Sequence, residues 1–256
     1  MVIGIEKFKE YFKEFPESYI IIGGTACDFV LAKAGLIPRV TRDIDMILIV
    51  EALKSEFVIR FWDFIKAGEY EEKQSGEKKR NYYRFLNPSN KEFPSQVELF
   101  SRMPDIIDPH PDIHLTPIPV EDDLSSLSAI LLEDDYYNYT ISNCTLADGI
   151  NYASSDSLIC LKAKAFLDLN ERRKAGEAID SRKIKKHKTD IFRLATLFGE
   201  NNSFVVPGTL KRDLSDFVRE VKDDLPEKQL FRDLGIPELN VEALFQQLKN
   251  NFNLVG

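Results

Sequence analysis

YIIIGGTACDFVLAKAGLIPRVTRDIDMILIV, residues 19–50, decides how the rest of the chain is read. Tyr19 to Ile22 is apolar and long enough for a short buried strand, and it stops at the pair Gly23-Gly24. Thr25 to Ala34 then has helical spacing through Ala26, Phe29 and Val30, and Gly35 and Pro38 end that helix. Thr41-Arg42-Asp43-Ile44-Asp45 opens a second run, apolar and β-branched as far as Val50, which reads as a central strand. Strand side chains alternate, so Asp43 and Asp45 point to the same face. Two carboxylates so placed offer hard oxygen ligands to a divalent cation. Glycines at the preceding turn let backbone approach a phosphate closely, and the helix that follows aims N–H groups at it. Thr25 is placed to cap that helix or to hydrogen-bond a phosphate oxygen.

Upstream, Ile5, Phe8, Phe12 and Phe15 recur at helical spacing until Pro16 breaks the pattern. Downstream, Ser55 to Ala67 reads as a helix with Phe57, Phe61, Phe64 and Ile65 inward. Residues 68–79 are charged and read as a hairpin tip or loop. Asn81 to Leu86 and Ser95 to Phe100 read as strands. Met103 to Asp123 carries five prolines and predicts an irregular excursion with at most one edge strand. Ser128 to Leu132, Tyr136 to Ser142 and Ile150 to Ala153 read as short strands. From Ser155 the pattern is helical throughout, over Leu158–Leu169, His187–Phe198, Leu210–Lys222 and Val241–Phe252. The expected class is therefore α+β: a mixed sheet with helices over residues 1–154, followed by a helical lobe over 155–256. A ligand cleft is expected between the two.

Composition narrows the function. With 43% hydrophobic and 30% charged residues the chain reads as a soluble globular protein. No apolar run reaches the roughly 18–20 residues that cross a bilayer, so no membrane partner is expected. Cys27, Cys144 and Cys160 are scattered and odd in number. They fit neither a disulfide framework nor a zinc spacing, and favour a reducing cytoplasm. The net charge of -8 argues against a globally basic nucleic-acid coat. Between Glu171 and Arg193, however, nine Lys or Arg residues face four acids; this run reads as a dock for an acidic acceptor or as a solvated face. Motifs of serine hydrolases, zinc proteases and P-loop proteins do not occur.

A third acid completes the candidate metal set. In Ser95-Gln-Val-Glu-Leu-Phe100, Val97 and Leu99 take one face of the strand, while Gln96, Glu98 and Phe100 take the other. A carboxylate between apolar neighbours in a core strand is costly unless it is paired or metal-bound. Asp43, Asp45 and Glu98 are thus expected to converge on one or two Mg2+ ions. Arg39 and Arg42 flank the pair and either contact triphosphate or balance its charge. His110 and His114, in the proline-rich stretch, lack the partners of a transition-metal site and read as ordinary loop residues. Tyr136, Tyr137 and Tyr139 read as strand aromatics that stack bases or, more commonly, pack a sheet, and Cys27 and Cys160 as buried filler.

The order GG, D-x-D, later acid resembles the polymerase-beta-like nucleotidyltransferase superfamily. The phrasing GGTA followed by RVTRDID is more narrowly similar to AbiEii/AbiGii-type toxins. Leu161-Lys-Ala-Lys-Ala-Phe166 resembles that family's helical lysine motif, with Lys162 in the lysine position. Residues 186–194, KHKTDIFRL, resemble its K-x-x-x-D motif, through Lys186 and Asp190. The likeness covers roughly residues 19–198. Eighteen residues separate Gly24 from Asp43, as in AbiEii-like relatives, and the third acid is Glu. The resemblance implies transfer of a nucleoside monophosphate from an NTP to an acceptor such as tRNA or other RNA. It further implies Mg2+ on Asp43, Asp45 and Glu98, a catalytic part for Lys162 and Asp190, and nucleotide contacts from Gly23, Gly24, Thr25, Arg42, Lys162 and Lys186. It implies, last, a separately encoded antitoxin regulator. Small-molecule or protein nucleotidylation, and a non-catalytic nucleotide- or RNA-binding module, remain as alternatives.

Overall fold

The computed structural model describes residues 3–71, 82–101, 130 and 133–254. Its elements, in chain order, are α1 (Ile5–Phe12), β1 (Tyr19–Ile22), α2 (Gly23–Lys33), β2 (Asp43–Leu48), α3 (Ser55–Gly68), β3 (Tyr82–Leu86) and β4 (Gln96–Phe100). There follow α4 (Asp134–Ser142), β5 (Cys144–Ala147), β6 (Ile150–Ala153), α5 (Ser155–Lys174), α6 (Ser181–Ala195), α7 (Gly208–Val221), α8 (Gln229–Asp233) and α9 (Val241–Asn251). The fold is α+β. Among the described residues no helix is long and apolar enough to cross a membrane.

The described chain divides into two compact units. The first holds residues 3–28, 40–71, 82–101 and 144–153, and with them one six-stranded sheet of order β3-β4-β2-β1-β6-β5. It is mixed: β2 runs parallel to β4, and β1 parallel to β6, while β1–β2, β3–β4 and β5–β6 are antiparallel. The register assigns each side chain to a face. Tyr19, Ile21, Met46, Leu48, Val97, Leu99 and Phe85 share one face. That face takes the apolar sides of α1 and α3. Phe8 meets Tyr19 edge-on at 5.3 Å between ring centroids, and Phe61 meets Phe85 at 5.6 Å. Phe12, Phe57 and Phe64 close the cluster, all with no exposed surface. Each such ring stabilises the fold by roughly 1.5–3 kcal/mol, before its lost rotamer freedom.

The second unit, residues 29–39, 130, 133–143 and 154–254, is helical. α5 packs against α6 and α7, with Phe166 edge-on to Phe217 at 5.2 Å. Phe192 of α6 stacks on Phe245 of α9 at 6.2 Å. The loop after α2 joins it through Ile37, whose N–H donates to the Leu234 carbonyl at 3.2 Å.

Three differences from the sequence reading have physical causes. Tyr136–Ser142, expected as a strand, lies in helix α4. Its buried residues Tyr136, Tyr137 and Thr140 have helical rather than alternating spacing, and Asp134 and Asp135 favour the helix start. The tyrosines therefore do not pack a sheet; the Tyr136 hydroxyl donates to Asp213 at 2.8 Å and the Tyr139 hydroxyl to Asp156 at 2.6 Å. Strand β5 was not expected. It pairs with β6 through Asp148-Gly149, both at positive φ, and an Asp-Gly pair between two short runs is the two-residue hairpin signal. The short helix α8 was also not expected. The excursion over 103–123 with its two histidines, most of the loop over 68–79, and the strand expected over 128–132 except Ile130 lie outside the described residues.

Candidate functional site: an acidic sheet face and a buried charge cluster

β2 sits inside the sheet with β1 on one side and β4 on the other. Across it run two register rows. One is Ile22, Asp45, Glu98 and Arg84; the other is Asp43, Gln96 and Leu86. Alternation puts all of these on the face opposite the aromatic cluster. The sequence pattern thus brings Asp43, Asp45 and Glu98 to one surface of two neighbouring strands, with Asp43 and Asp45 partly exposed and Glu98 only 3% exposed.

The glycine turn is built around Asp45. Gly23 has φ +67, and a Cβ there would fall 1.9 Å from Asp45 Oδ2, so the carboxylate occupies the space that any side chain would need. Gly24 is buried in the first turn of α2. Thr25 is fully buried, and its hydroxyl donates to the Asp43 carbonyl at 2.5 Å, tying α2 to the start of β2. Arg42, just before β2, is exposed, and its carbonyl accepts from the Ser95 N–H at 2.9 Å.

Glu98 is engaged on the strand side away from Asp45. Arg84 Nε donates to its Oε1 at 2.9 Å, and the Gln96 side-chain amide donates to the same oxygen. Arg84 and Gln96 were not singled out from sequence. An arginine inside the otherwise aromatic and apolar strand Tyr82–Leu86 was the available signal.

Whether these groups suit a divalent cation divides by residue. Asp43 and Asp45, adjacent on one face and partly open, are the right donors for a hard ion. Glu98 already has its charge countered by a guanidinium. Among the described residues no three His, Cys, Asp or Glu side chains come together as a metal-holding group.

The helical unit carries its own charged centre. Lys162, in the middle of α5, donates to Asp190 Oδ2 on α6 at 2.7 Å, and Arg39 donates to the same oxygen at 2.9 Å. Lys162 and Asp190 are 6% and 3% exposed. Burial by itself pushes the Asp190 carboxyl up, but the charges of Lys162 and Arg39 outweigh it and hold it below the usual carboxylate range. His187, one turn before Asp190, has an Nδ1 sealed from solvent and without a hydrogen-bond partner among the described residues. Burial, reinforced by the Lys162 charge, pushes its imidazole down to about 3. Nothing in the K-x-x-x-D spacing singles out His187. Lys186, by contrast, is exposed on α6.

Much of the basic run is balanced within the unit. Arg172 pairs with Glu177, Lys174 with Glu220, and Arg182 with Asp180. The buried Lys188 pairs with Asp224 and also donates to its carbonyl. Lys183, Lys185 and Lys186 are exposed on α6. Cys27 and Cys160 are buried thiols.

No family model, no curated protein and no solved structure matches the chain. The geometry of the two units therefore has to carry the functional reading by itself.

Proposed function

We propose that the chain is a nucleotidyltransferase, moving a nucleoside monophosphate from an NTP to an acceptor hydroxyl with release of pyrophosphate. The observation that carries this reading is the seat of Asp45. Its carboxylate lies against Gly23 at the head of α2, so an acidic strand start, a glycine turn and a helix N-terminus meet within one unit. A magnesium ion held by Asp43 and Asp45 would supply charge neutralisation and activation of the attacking hydroxyl.

The protein's own groups account for the remainder. The first N–H groups of an α-helix have no partners within the helix, so the start of α2 favours a phosphate anion. Gly23 and Gly24 keep side chains out of its approach. Glu98, oriented by Arg84 and Gln96, adds a fixed negative charge beside Asp45. Within the helical unit, Lys162 of the lysine motif is held by Asp190 through the 2.7 Å ion pair. Arg42 and Lys186 are exposed cations. The exposed lysines of α6 support an RNA acceptor, tRNA included, in the manner of an AbiEii-type toxin of a reducing cytoplasm paired with an antitoxin regulator.

A second reading, a non-catalytic nucleotide- or RNA-binding module, is favoured by one observation: the third carboxylate is already paired with Arg84. Labelled NTPs with Mg2+ and cellular RNA separate the two. We expect wild type to transfer label and the Asp43→Ala/Asp45→Ala double variant to lose roughly 1000-fold in rate, as when preorganised charge at a reacting phosphate is removed. Equal labelling by both proteins sinks the enzymatic reading, and metal-independent NTP binding without turnover selects the module.

A further inference from the structure

Strand β1 stops before its ladder with β2 has run out of partner strand. The register goes from Tyr19 opposite Leu48 to Ile22 opposite Asp45, and its continuation would set Gly24 opposite Asp43. The chain does not continue, because Gly23 turns it at φ +67 into α2. Just ahead of Asp43, the Arg42 carbonyl points toward β4, accepting from the Ser95 N–H at 2.9 Å. Successive carbonyls of an extended chain point to opposite sides, so the Asp43 carbonyl faces the side that β1 has left. There the Thr25 hydroxyl donates to it at 2.5 Å. A side chain thus supplies a donor where the strand backbone has turned away.

We propose that Thr25 is a positioning residue for the nucleotide site and not a ligand of the phosphates: its hydroxyl holds the head of α2 against the start of β2. This rests on the nucleotidyltransferase reading. Two observations separate the roles. Thr25 is completely buried, so a molecule bound at the surface does not reach it. A hydroxyl carries a single proton and phosphate oxygens are acceptors, so a proton committed to the Asp43 carbonyl is not offered to a phosphate. What Thr25 fixes is the spacing of two parts that the transfer needs in one place. One is the glycine turn with the first N–H groups of α2; the other is the strand that carries Asp43 and Asp45. The fit at Gly23 shows how little play that spacing has. A Cβ there would fall 1.9 Å from Asp45 Oδ2, so a small shift of α2 against β2 changes which atoms a triphosphate meets.

Amide hydrogen exchange and steady-state transfer of label from NTP to cellular RNA, both on the full chain, test this together. Thr25→Val keeps the side-chain shape and loses the donor, whereas Thr25→Ser keeps the donor. Thr25→Val should speed exchange of the Cys27 and Asp28 amides, which close the first turn of α2, by about tenfold or more, with the amides of β3 and β4 unchanged. It should lower kcat by about tenfold or more and leave KM for NTP within about threefold of wild type. Thr25→Ser should stay within about threefold of wild type in all three quantities. Unchanged amide exchange in Thr25→Val, or unchanged kcat in an active enzyme, overturns the proposal. So does a raised KM at unchanged kcat, the mark of a phosphate ligand, and so does Thr25→Ser behaving like Thr25→Val. If Thr25→Val fails to fold, wild type decides. Its Thr25 hydroxyl proton should stay protected from solvent when ATP and Mg2+ are added, and loss of that protection overturns the assignment. Failure of the enzymatic reading is separately visible: a wild type that transfers no label, with the amide pattern as expected, keeps the Thr25 strut and loses the transferase.

Discussion

The acidic sheet face and the helical charge cluster solve the same problem, keeping ionised groups stable in a folded interior, in different ways. On the sheet, alternation and register do the work. Asp43, Asp45, Glu98 and Arg84 share a face because their strands pair in one register, and the aromatic cluster on the opposite face fixes that register by its burial. In the helices no such periodic rule operates. Arg39, Lys162 and Asp190 come from three separate stretches of sequence and meet at one oxygen, Asp190 Oδ2. The aspartates of the sheet face are partly exposed, whereas the helical cluster is buried and its charges are largely spent on one another. The proposed function places its ligand on the first, and the contrast assigns stability mainly to the second.

Asp190→Ala should break the closed cluster hardest. It leaves Lys162 and Arg39 without their shared carboxylate, and removal of one side of a buried pair costs about 3–5 kcal/mol. Chemical denaturation should register that loss. A variant as stable as wild type would mean that the cluster does not hold the unit together.

Gly23→Ala tests the open face next. The new methyl would collide with Asp45 Oδ2 and would force a non-glycine residue to positive φ, together about 3 kcal/mol. Shortening the colliding group should recover part of this, so the cost in an Asp45→Gly background is expected to be about half. A cost unaffected by residue 45 would show that backbone strain alone is responsible.

The cluster also has a pH signature. His187 is held neutral when folded, its folded value near 3 lying below the unfolded value of 6.5. Between those limits the unfolded chain binds more protons, so stability falls as pH falls through this window. From pH 7 to pH 5 the histidine should contribute about 2 kcal/mol of lost stability. The measurement is the difference in that pH slope between wild type and His187→Asn; parallel slopes would contradict the buried neutral imidazole.

The smallest effect concerns α4. Tyr136→Phe removes a hydrogen bond to the buried Asp213 carboxylate, worth about 1–2 kcal/mol. A cost within experimental error would place that bond outside the stabilising contacts of the helical unit.

These comparisons also locate what could be read in advance. The glycine pair, the alternation of Asp43 and Asp45, and the inward-facing Glu98 were all legible, because a strand's faces follow from spacing alone. Helices α1, α2 and α3 and the long helices after Ser155 were legible for the matching reason at a period of 3.6. Helix α4 was not. Its Tyr-Tyr-Asn-Tyr pattern satisfies a strand template as well as a helical one, and burial against Asp213 and Asp156 made the choice. The β5 hairpin was missed although Asp148-Gly149 announced it.

What the amino-acid order determined by itself is which carboxylates share a surface and where the chain turns, since both follow from local geometry and from glycine's freedom. What only the tertiary structure decided is which charges neutralise which. Glu98 finds Arg84 through the pairing of β3 with β4, and Asp190 finds Lys162 across 28 residues of chain and Arg39 across 151. Coulomb energy depends on distance in space, and sequence separation carries no information about that until the backbone has folded.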